Sequence, residues 1–135
     1  MLLSEEREHC KIRKWSCRIN MSLDIAKGMD FLHSRSPPII HRDLKTSNVV
    51  VDRNYCCKII DFGLSAVRGV SRQSEVQSSS SSREMGTVAF TAPELLLRRV
   101  DEEHETKIDV YSYSIILWQL KGRKPVYGYL ILLME

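Results

Sequence analysis

Three polar residues with chemically useful side chains lie close together between two apolar segments. Asp43, Lys45 and Asn48 follow the isoleucine pair at 39–40 and precede the valines at 49–51. Loops held by a rigid scaffold supply a large share of the groups that bind and react. A carboxylate, an ammonium group and an amide in one such loop therefore form the first candidate site of this chain.

A second acidic group lies beyond the next apolar stretch. Asp61 comes thirteen residues after Asn48 and is followed by Phe62 and Gly63. Gly63 permits backbone angles that other residues disfavour, beside that carboxylate. If a hairpin joins the two polar segments, its ends bring Asn48 and Asp61 together. A carboxylate and an amide oxygen are hard ligands, which suit magnesium rather than zinc.

The elements that must position these groups begin with a helix. A helical pattern starts at Trp15 and must end by Ser36, because two prolines follow and proline cannot continue a helix. Apolar residues recur along it at three- and four-residue steps, which predicts one buried face. The predicted buried stripe consists of Ile19, Leu23, Ala26 and Met29.

A hairpin and a second helix complete the predicted scaffold. The β-branched run Val49–Val51 and the segment Lys58–Ile60 predict two short strands joined by a turn at 52–54. Residues 109–120 are apolar nearly all round, which predicts a helix in the middle of a core. The serine-rich stretch 71–83 predicts a mobile loop. The fold class is therefore mainly α with a small antiparallel β-hairpin.

Composition favours a soluble protein without special surface charge. The 20 basic and 17 acidic residues give a net charge of +3, which provides little attraction to nucleic acid or anionic lipid. The cysteines lack metal-site spacing, so we expect reduced thiols and a cytoplasmic location. The apolar run 130–134 is far shorter than the ~20 residues that span a bilayer, so we expect no membrane span.

Four short motifs in a fixed order carry a family resemblance. They are H-R-D-L-K-x-x-N at 41–48, D-F-G at 61–63, A-P-E at 92–94 and D-V-Y-S at 109–112. In this order and at these intervals the chain resembles eukaryotic protein kinases. The resemblance covers 15–128 and implies a kinase-like C-terminal lobe, with a catalytic loop at 41–48 and an activation segment at 61–94. Residues 1–14 are expected to form a surface segment, and 129–135 a short apolar tail.

The resemblance implies roles for the residues of both polar segments. Asp43 matches the aspartate that accepts the proton of the substrate hydroxyl, and Lys45 matches the lysine that neutralises the moving phosphoryl group. Asn48 and Asp61 match the two magnesium-binding residues. Val50 matches the aliphatic residue that packs beneath the adenine of ATP. ATP and Mg²⁺ are therefore the expected cofactors.

Further matches concern regulation and architecture. Arg42 matches an arginine that holds a phosphorylated activation segment in many members, and Thr87 or a nearby serine is a candidate for that phosphorylation by an upstream kinase. The remaining matches are structural and comprise His41, Phe62, Gly63, Glu94 and Asp109. His41 and Phe62 correspond to members of a hydrophobic stack, and Asp109 to a carboxylate that fixes the backbone of the catalytic loop.

Substrate class follows from two of these positions. Lys45 in the catalytic loop, together with Thr87, resembles serine/threonine kinases, whereas D-V-Y-S-Y-S-I-I-L-W at 109–118 resembles the tyrosine-kinase-like branch. That branch mostly phosphorylates serine and threonine, so protein substrates bearing those residues are expected. The chain retains the complete set of Asp43, Lys45, Asn48 and Asp61. We therefore expect that it descends from an active enzyme.

The sequence also departs from the family. Neither a glycine-rich phosphate loop nor the V-A-I-K lysine precedes Trp15, so the lobe is expected to be truncated and inactive alone. Glu94 is expected to lack its arginine partner, which the family carries in helices beyond this sequence. Missing neighbours would expose apolar surface around helix 109–120. The alternative reading is therefore a catalytically inactive kinase lobe that acts as a scaffold or binds partners.

Overall fold

The structure, a computed structural model, describes residues 14–62, 65–67, 88–122 and 131–132. Three α-helices, five short strands and two 3₁₀ turns follow one another along these residues. The helices are α1 (Trp15–His33), α2 (Pro93–Leu96) and α3 (Glu105–Lys121). The strands are β1 (Ile39–Ile40), β2 (Val49–Val51), β3 (Cys57–Ile59), β4 (Ala66–Val67) and β5 (Ile131–Leu132), and the 3₁₀ turns are Thr46–Asn48 and Glu102–His104. The predicted fold class, mainly α with an antiparallel hairpin, is confirmed.

Helix α1 ends where the prolines require it, at His33, and the predicted buried face is correct at Met29 but wrong at Ile19 and Leu23. Ile19 and Leu23 are 46% and 49% exposed. The buried residues are Met21, Ile25, Met29 and Leu32. Both stripes have helical spacing, so periodicity alone cannot decide between them. The contacts of α1 with β3 and α3 select the second stripe.

The predicted hairpin is confirmed, with β2 and β3 antiparallel and Val50 opposite Lys58. The second strand spans Cys57–Ile59 rather than Lys58–Ile60. Cys57 is buried, and Cys56, which precedes the strand, is exposed. Two pairings were not expected. β5 adds to β2 in parallel, and β1 pairs antiparallel with β4.

Helix α3 is longer than predicted and is buried on one side only, within the described part of the chain. Ile108, Asp109, Ser112 and Ile116 are buried. Val110 and Trp118, by contrast, are 52% and 56% exposed. The prediction of a helix buried all round is therefore wrong, while the predicted exposure of apolar surface around it is observed. No helix among the described residues is long and apolar enough to cross a membrane.

Two groups of buried side chains hold the segment around residue 43 from both ends. Leu44 is fully buried in the larger group, which α1, the hairpin and α3 build together. Ile40 is fully buried in a smaller group with Ala92 and Ile108. The polar residues at 41–43 therefore lie between two fixed apolar anchors, which limits the positions that their side chains can take.

The thiol of Cys57 gives a test of this packing. Burial raises the pKa of the Cys57 thiol from 9.0 to about 12, and the Asp24 carboxylate, which accepts the Cys57 N–H at 3.0 Å, adds to the rise. At pH 9 we expect iodoacetamide to alkylate exposed Cys56 in the folded chain and to leave Cys57 unmodified by mass spectrometry. A urea-unfolded sample should react at both thiols. Modification of Cys57 at the same rate as Cys56 in the folded chain would contradict the packing.

The same shift fixes the sign of the pH dependence of stability. Between about pH 9 and pH 12 the unfolded chain ionises Cys57 while the folded chain keeps the thiol neutral. The unfolded state then binds fewer protons, so the free energy of unfolding must fall as pH rises through this window. Cys57→Ala should reduce that slope in urea titrations.

Candidate active site

The carboxylate of Asp43 is held by two neighbours in the same loop. Lys45 Nζ lies 2.9 Å from Asp43 Oδ2, and Asn48 Nδ2 donates to Asp43 Oδ2 at 3.1 Å and to the Asp43 carbonyl at 2.8 Å. The Asp43 and Lys45 side chains are 13% and 23% exposed, so both remain accessible to a substrate. The structure thus brings together the three polar residues of the first predicted segment.

Asp109 on α3 fixes the backbone of this loop. Its side chain is 1% exposed, and its two oxygens accept the N–H groups of His41 and Arg42, each at 2.9 Å. A third partner is His33 at the end of α1, whose Nε2 lies 2.9 Å from Asp109 Oδ2. A buried carboxylate needs such partners, because an unpaired buried charge is strongly destabilising. One side chain therefore ties α1, the loop and α3 together.

Arg42 adopts an unusual backbone conformation, with φ of 65°. This left-handed region disfavours residues that carry a side chain. The guanidinium of Arg42 donates from Nη2 to Oε1 of Glu105, the first residue of α3, at 2.8 Å. Arg42 is thus held at its backbone by Asp109 and at its side chain by Glu105.

Asp61 lies beside the loop because of the hairpin. The N–H of Ile60 donates to the Asn48 carbonyl at 2.9 Å, which places the two chain segments next to each other. Asp61 itself has φ of 62° and an exposed side chain. His41 Nε2 lies 3.2 Å from the Ile60 carbonyl, and the His41 ring lies 5.3 Å from that of Phe62. The two ends of the hairpin therefore meet at this site.

The donor set fits a magnesium ion. The two hydrogen bonds from Asn48 Nδ2 to Asp43 fix the orientation of the amide, so that its Oδ1 remains an acceptor. Asp61 supplies an exposed carboxylate one residue beyond Ile60. Amide and carboxylate oxygens, completed by water and phosphate oxygens, are the ligands that Mg²⁺ prefers. Asn48 and Asp61 are therefore the residues that would hold the ion.

Of the other predicted residues, the structure describes Val50 and Glu94 but not Gly63 or Thr87. Val50 is half-buried in the middle of β2. Within the described residues the carboxylate of half-buried Glu94 forms no ion pair. Gly63 and Thr87 lie outside the residues that the structure describes, as does the serine-rich stretch 71–83.

Two residues of the site were missed by sequence reasoning. His33 is a single histidine at a helix end, and Glu105 is the last of several acidic residues near the start of α3. Neither belongs to one of the four motifs. The spacing of Glu105 and Asp109, one helical turn apart, is a signal that could have indicated a shared target.

Comparison with known proteins decides the family. The protein kinase domain family matches residues 2–129. The chain belongs to this family. Among the curated relatives, the kinase domain is 45% identical over 111 residues to the serine/threonine-protein kinase CTR1 of Arabidopsis thaliana, which covers 82% of this chain and 12% of the relative. It is also 40% identical over 110 residues to receptor-interacting serine/threonine-protein kinase 2 of Bos taurus, which covers 82% of this chain and 20% of that relative.

These relatives bear on the branch as well. Both are serine/threonine kinases by name, and the predicted tyrosine-kinase-like branch agrees with them. The kinase domain described here spans at most a fifth of the length of these two relatives.

Proposed function

We propose that this chain supplies the catalytic loop of a protein serine/threonine kinase, which transfers the γ-phosphoryl group of ATP to serine and threonine hydroxyls of proteins. The observation that carries the proposal is the arrangement of Asp43. Its carboxylate is partly exposed and contacts Lys45 and Asn48. Asp109 fixes the backbone of the residue that precedes it in the chain. Such an arrangement is suited to orienting a hydroxyl group.

In the proposed reaction Asp43 accepts the proton of the substrate hydroxyl. At the same time the oxygen of that hydroxyl forms a bond to the γ-phosphorus of ATP. The bond from that phosphorus to the β–γ bridging oxygen breaks, and ADP leaves. Lys45, 2.9 Å from Asp43, is close enough to neutralise charge on the transferred group. Mg²⁺ held by Asn48 and Asp61 would neutralise the phosphates of ATP. Val50 is proposed to contact the adenine.

The serine/threonine preference is supported by Lys45 in the catalytic loop and by the names of the relatives. We also propose that Thr87 contributes to this serine/threonine preference. Proteins bearing serine or threonine are the proposed substrates, and the cytoplasm is the proposed location.

Regulation through the activation segment is also proposed. Arg42 would bind a phosphoryl group placed on Thr87 or a nearby serine by an upstream kinase. The ion pair with Glu105 means that such a group must compete for this guanidinium. Mass spectrometry of active protein that finds this segment unmodified would contradict the regulatory role.

A second candidate function has its own observation. The exposed face of α3, which includes Val110, Leu117 and Trp118, is an apolar surface of the kind that binds other proteins. A kinase lobe that works as a scaffold would use this face and would have no need of ATP. Nucleotide binding separates the two candidates.

The test is calorimetric titration of ATP with and without magnesium. A suitable protein is a chimera in which this chain replaces the matching residues of the Arabidopsis relative. We expect magnesium-dependent binding that Asp61→Ala weakens at least about tenfold through the lost ligand. Asp101→Ala, at an exposed carboxylate outside the site, is the matched control. Equal affinity in Asp61→Ala and the control would contradict the metal site.

A further inference from the structure

Two carboxylates on one face of α3 contact Arg42. Glu105 Oε1 accepts a hydrogen bond from Arg42 Nη2 at 2.8 Å, and Asp109 Oδ1 accepts one from the Arg42 N–H at 2.9 Å. Glu105 and Asp109 are four residues apart, so they lie one turn apart on the same face of the helix. We refer to Glu105 and Asp109 together as the Arg42 clamp.

The two members of the clamp are both acidic, and the Arg42 guanidinium contacts the outer one, Glu105. Like charges four residues apart on a helix destabilise it. The Glu105 and Asp109 side chains are 15% and 1% exposed, so water screens this repulsion only in part. The Arg42 guanidinium, which is 37% exposed, supplies the compensating charge on the outer side. The outer half of the clamp is thus an ion pair with an exposed arginine and a largely shielded glutamate, which solvent screens in part.

The clamp acts on a residue whose backbone is strained. With φ of 65°, Arg42 occupies a region that a residue with a side chain keeps only when its surroundings enforce it. Asp43 follows directly in the chain. Any relaxation of Arg42 would therefore change the direction of the Asp43 side chain.

We propose that Glu105 is a positioning residue of the catalytic loop. By holding the Arg42 side chain, it keeps the loop in the strained conformation that directs Asp43 to the substrate, and it does so without any added phosphate. Glu105 belongs to none of the four motifs, and its contribution depends on the helical turn that it shares with Asp109. The inference deepens the proposed function and rests on it.

The first test is hydrogen exchange of the full chain, followed by mass spectrometry of peptides that cover 41–48. In Glu105→Gln we expect exchange of these amides to accelerate about three- to tenfold, as loss of a partly shielded charged hydrogen bond implies. Peptides from the β2–β3 hairpin should exchange as in the unmodified chain. Glu103→Gln, at an exposed glutamate two residues earlier, is the matched control and should change neither region.

A double-mutant cycle distinguishes two explanations of a change in Glu105→Gln. One is the loss of the contact with Arg42, and the other is a direct effect of Glu105 on the first turn of α3. If Glu105 acts through Arg42, Glu105→Gln should add nothing to the exchange rate of Arg42→Gln. Additive effects of the two changes would overturn the proposal. So would unchanged exchange at 41–48 in Glu105→Gln.

The kinetic test uses the chimera. We expect Glu105→Gln to lower kcat about three- to tenfold and to leave the KM for ATP within about twofold, because the clamp affects Asp43 and not nucleotide binding. A rise in KM with kcat unchanged would overturn the positioning role. If no chimera transfers phosphate, the proposed function fails, while the exchange measurements still decide whether the clamp exists.

Discussion

Replacing Asp43 by Asn is expected to lower kcat of the chimera by about 10² to 10⁴, the range that general-base catalysis contributes. The amide has nearly the same shape as the carboxylate and can still accept hydrogen bonds from Lys45 and Asn48. It cannot accept the proton of the substrate hydroxyl. Binding of ATP should change little, because Asp43 is not one of the proposed magnesium ligands. The measurement is steady-state phosphotransfer to a serine-containing peptide, with kcat and the KM for ATP determined separately.

The control for this change is Asp30→Asn, at an exposed carboxylate on α1 away from the site. It should keep the rate of the unmodified chimera. The thermal unfolding midpoints of both variants should also equal that of the unmodified chimera, since no buried group is left without a partner. A rate for Asp43→Asn within threefold of the control's would show that Asp43 is not the base.

Replacing Asp109 by Ala is expected to lower the free energy of unfolding by about 3–5 kcal/mol, the usual result of breaking a buried charged network. The change removes the acceptor for the N–H groups of His41 and Arg42 and the partner of His33. These groups lie in or beside a closed core and cannot all reach water. The loss should be measured on the chain by urea denaturation with two probes, so that two-state behaviour is checked.

Asp101→Ala provides the matched comparison for Asp109. Asp101 is exposed, precedes the 3₁₀ turn before α3 and makes no side-chain capping hydrogen bond. Its replacement should change the free energy of unfolding by less than about 0.5 kcal/mol. Equal effects of the two changes would mean that Asp109 does not organise the loop.

Much of the scaffold could be predicted because local signals were strong. The prolines after His33 end α1, and the valines of β2 with the turn at 52–54 specify a hairpin. The buried face of α1 could not be predicted in the same way. Two apolar stripes share the helical period, and only packing against β3 and α3 decides that Met21 is buried and Leu23 exposed. The pairing of β5 with β2 joins segments far apart in sequence, which no local pattern specifies.

The site shows the same division. The motifs at 41–48 and 61–63 indicate the polar residues of the site, since their types and order are unusual. The contacts of His33 and Glu105 could not be inferred, because both depend on how α1 and α3 approach the loop in three dimensions. A single histidine and a single glutamate carry no signal of their own. Their importance follows from the distances to Asp109 and Arg42.

The decisive experiment is phosphoamino-acid analysis of peptides after incubation with the chimera and labelled Mg-ATP. Peptides that differ only in carrying serine, threonine or tyrosine should be compared, beside the Asp43→Asn variant. We expect label on phosphoserine and phosphothreonine that disappears in Asp43→Asn. No label from a folded chimera that binds ATP, or label on tyrosine alone, would contradict this expectation.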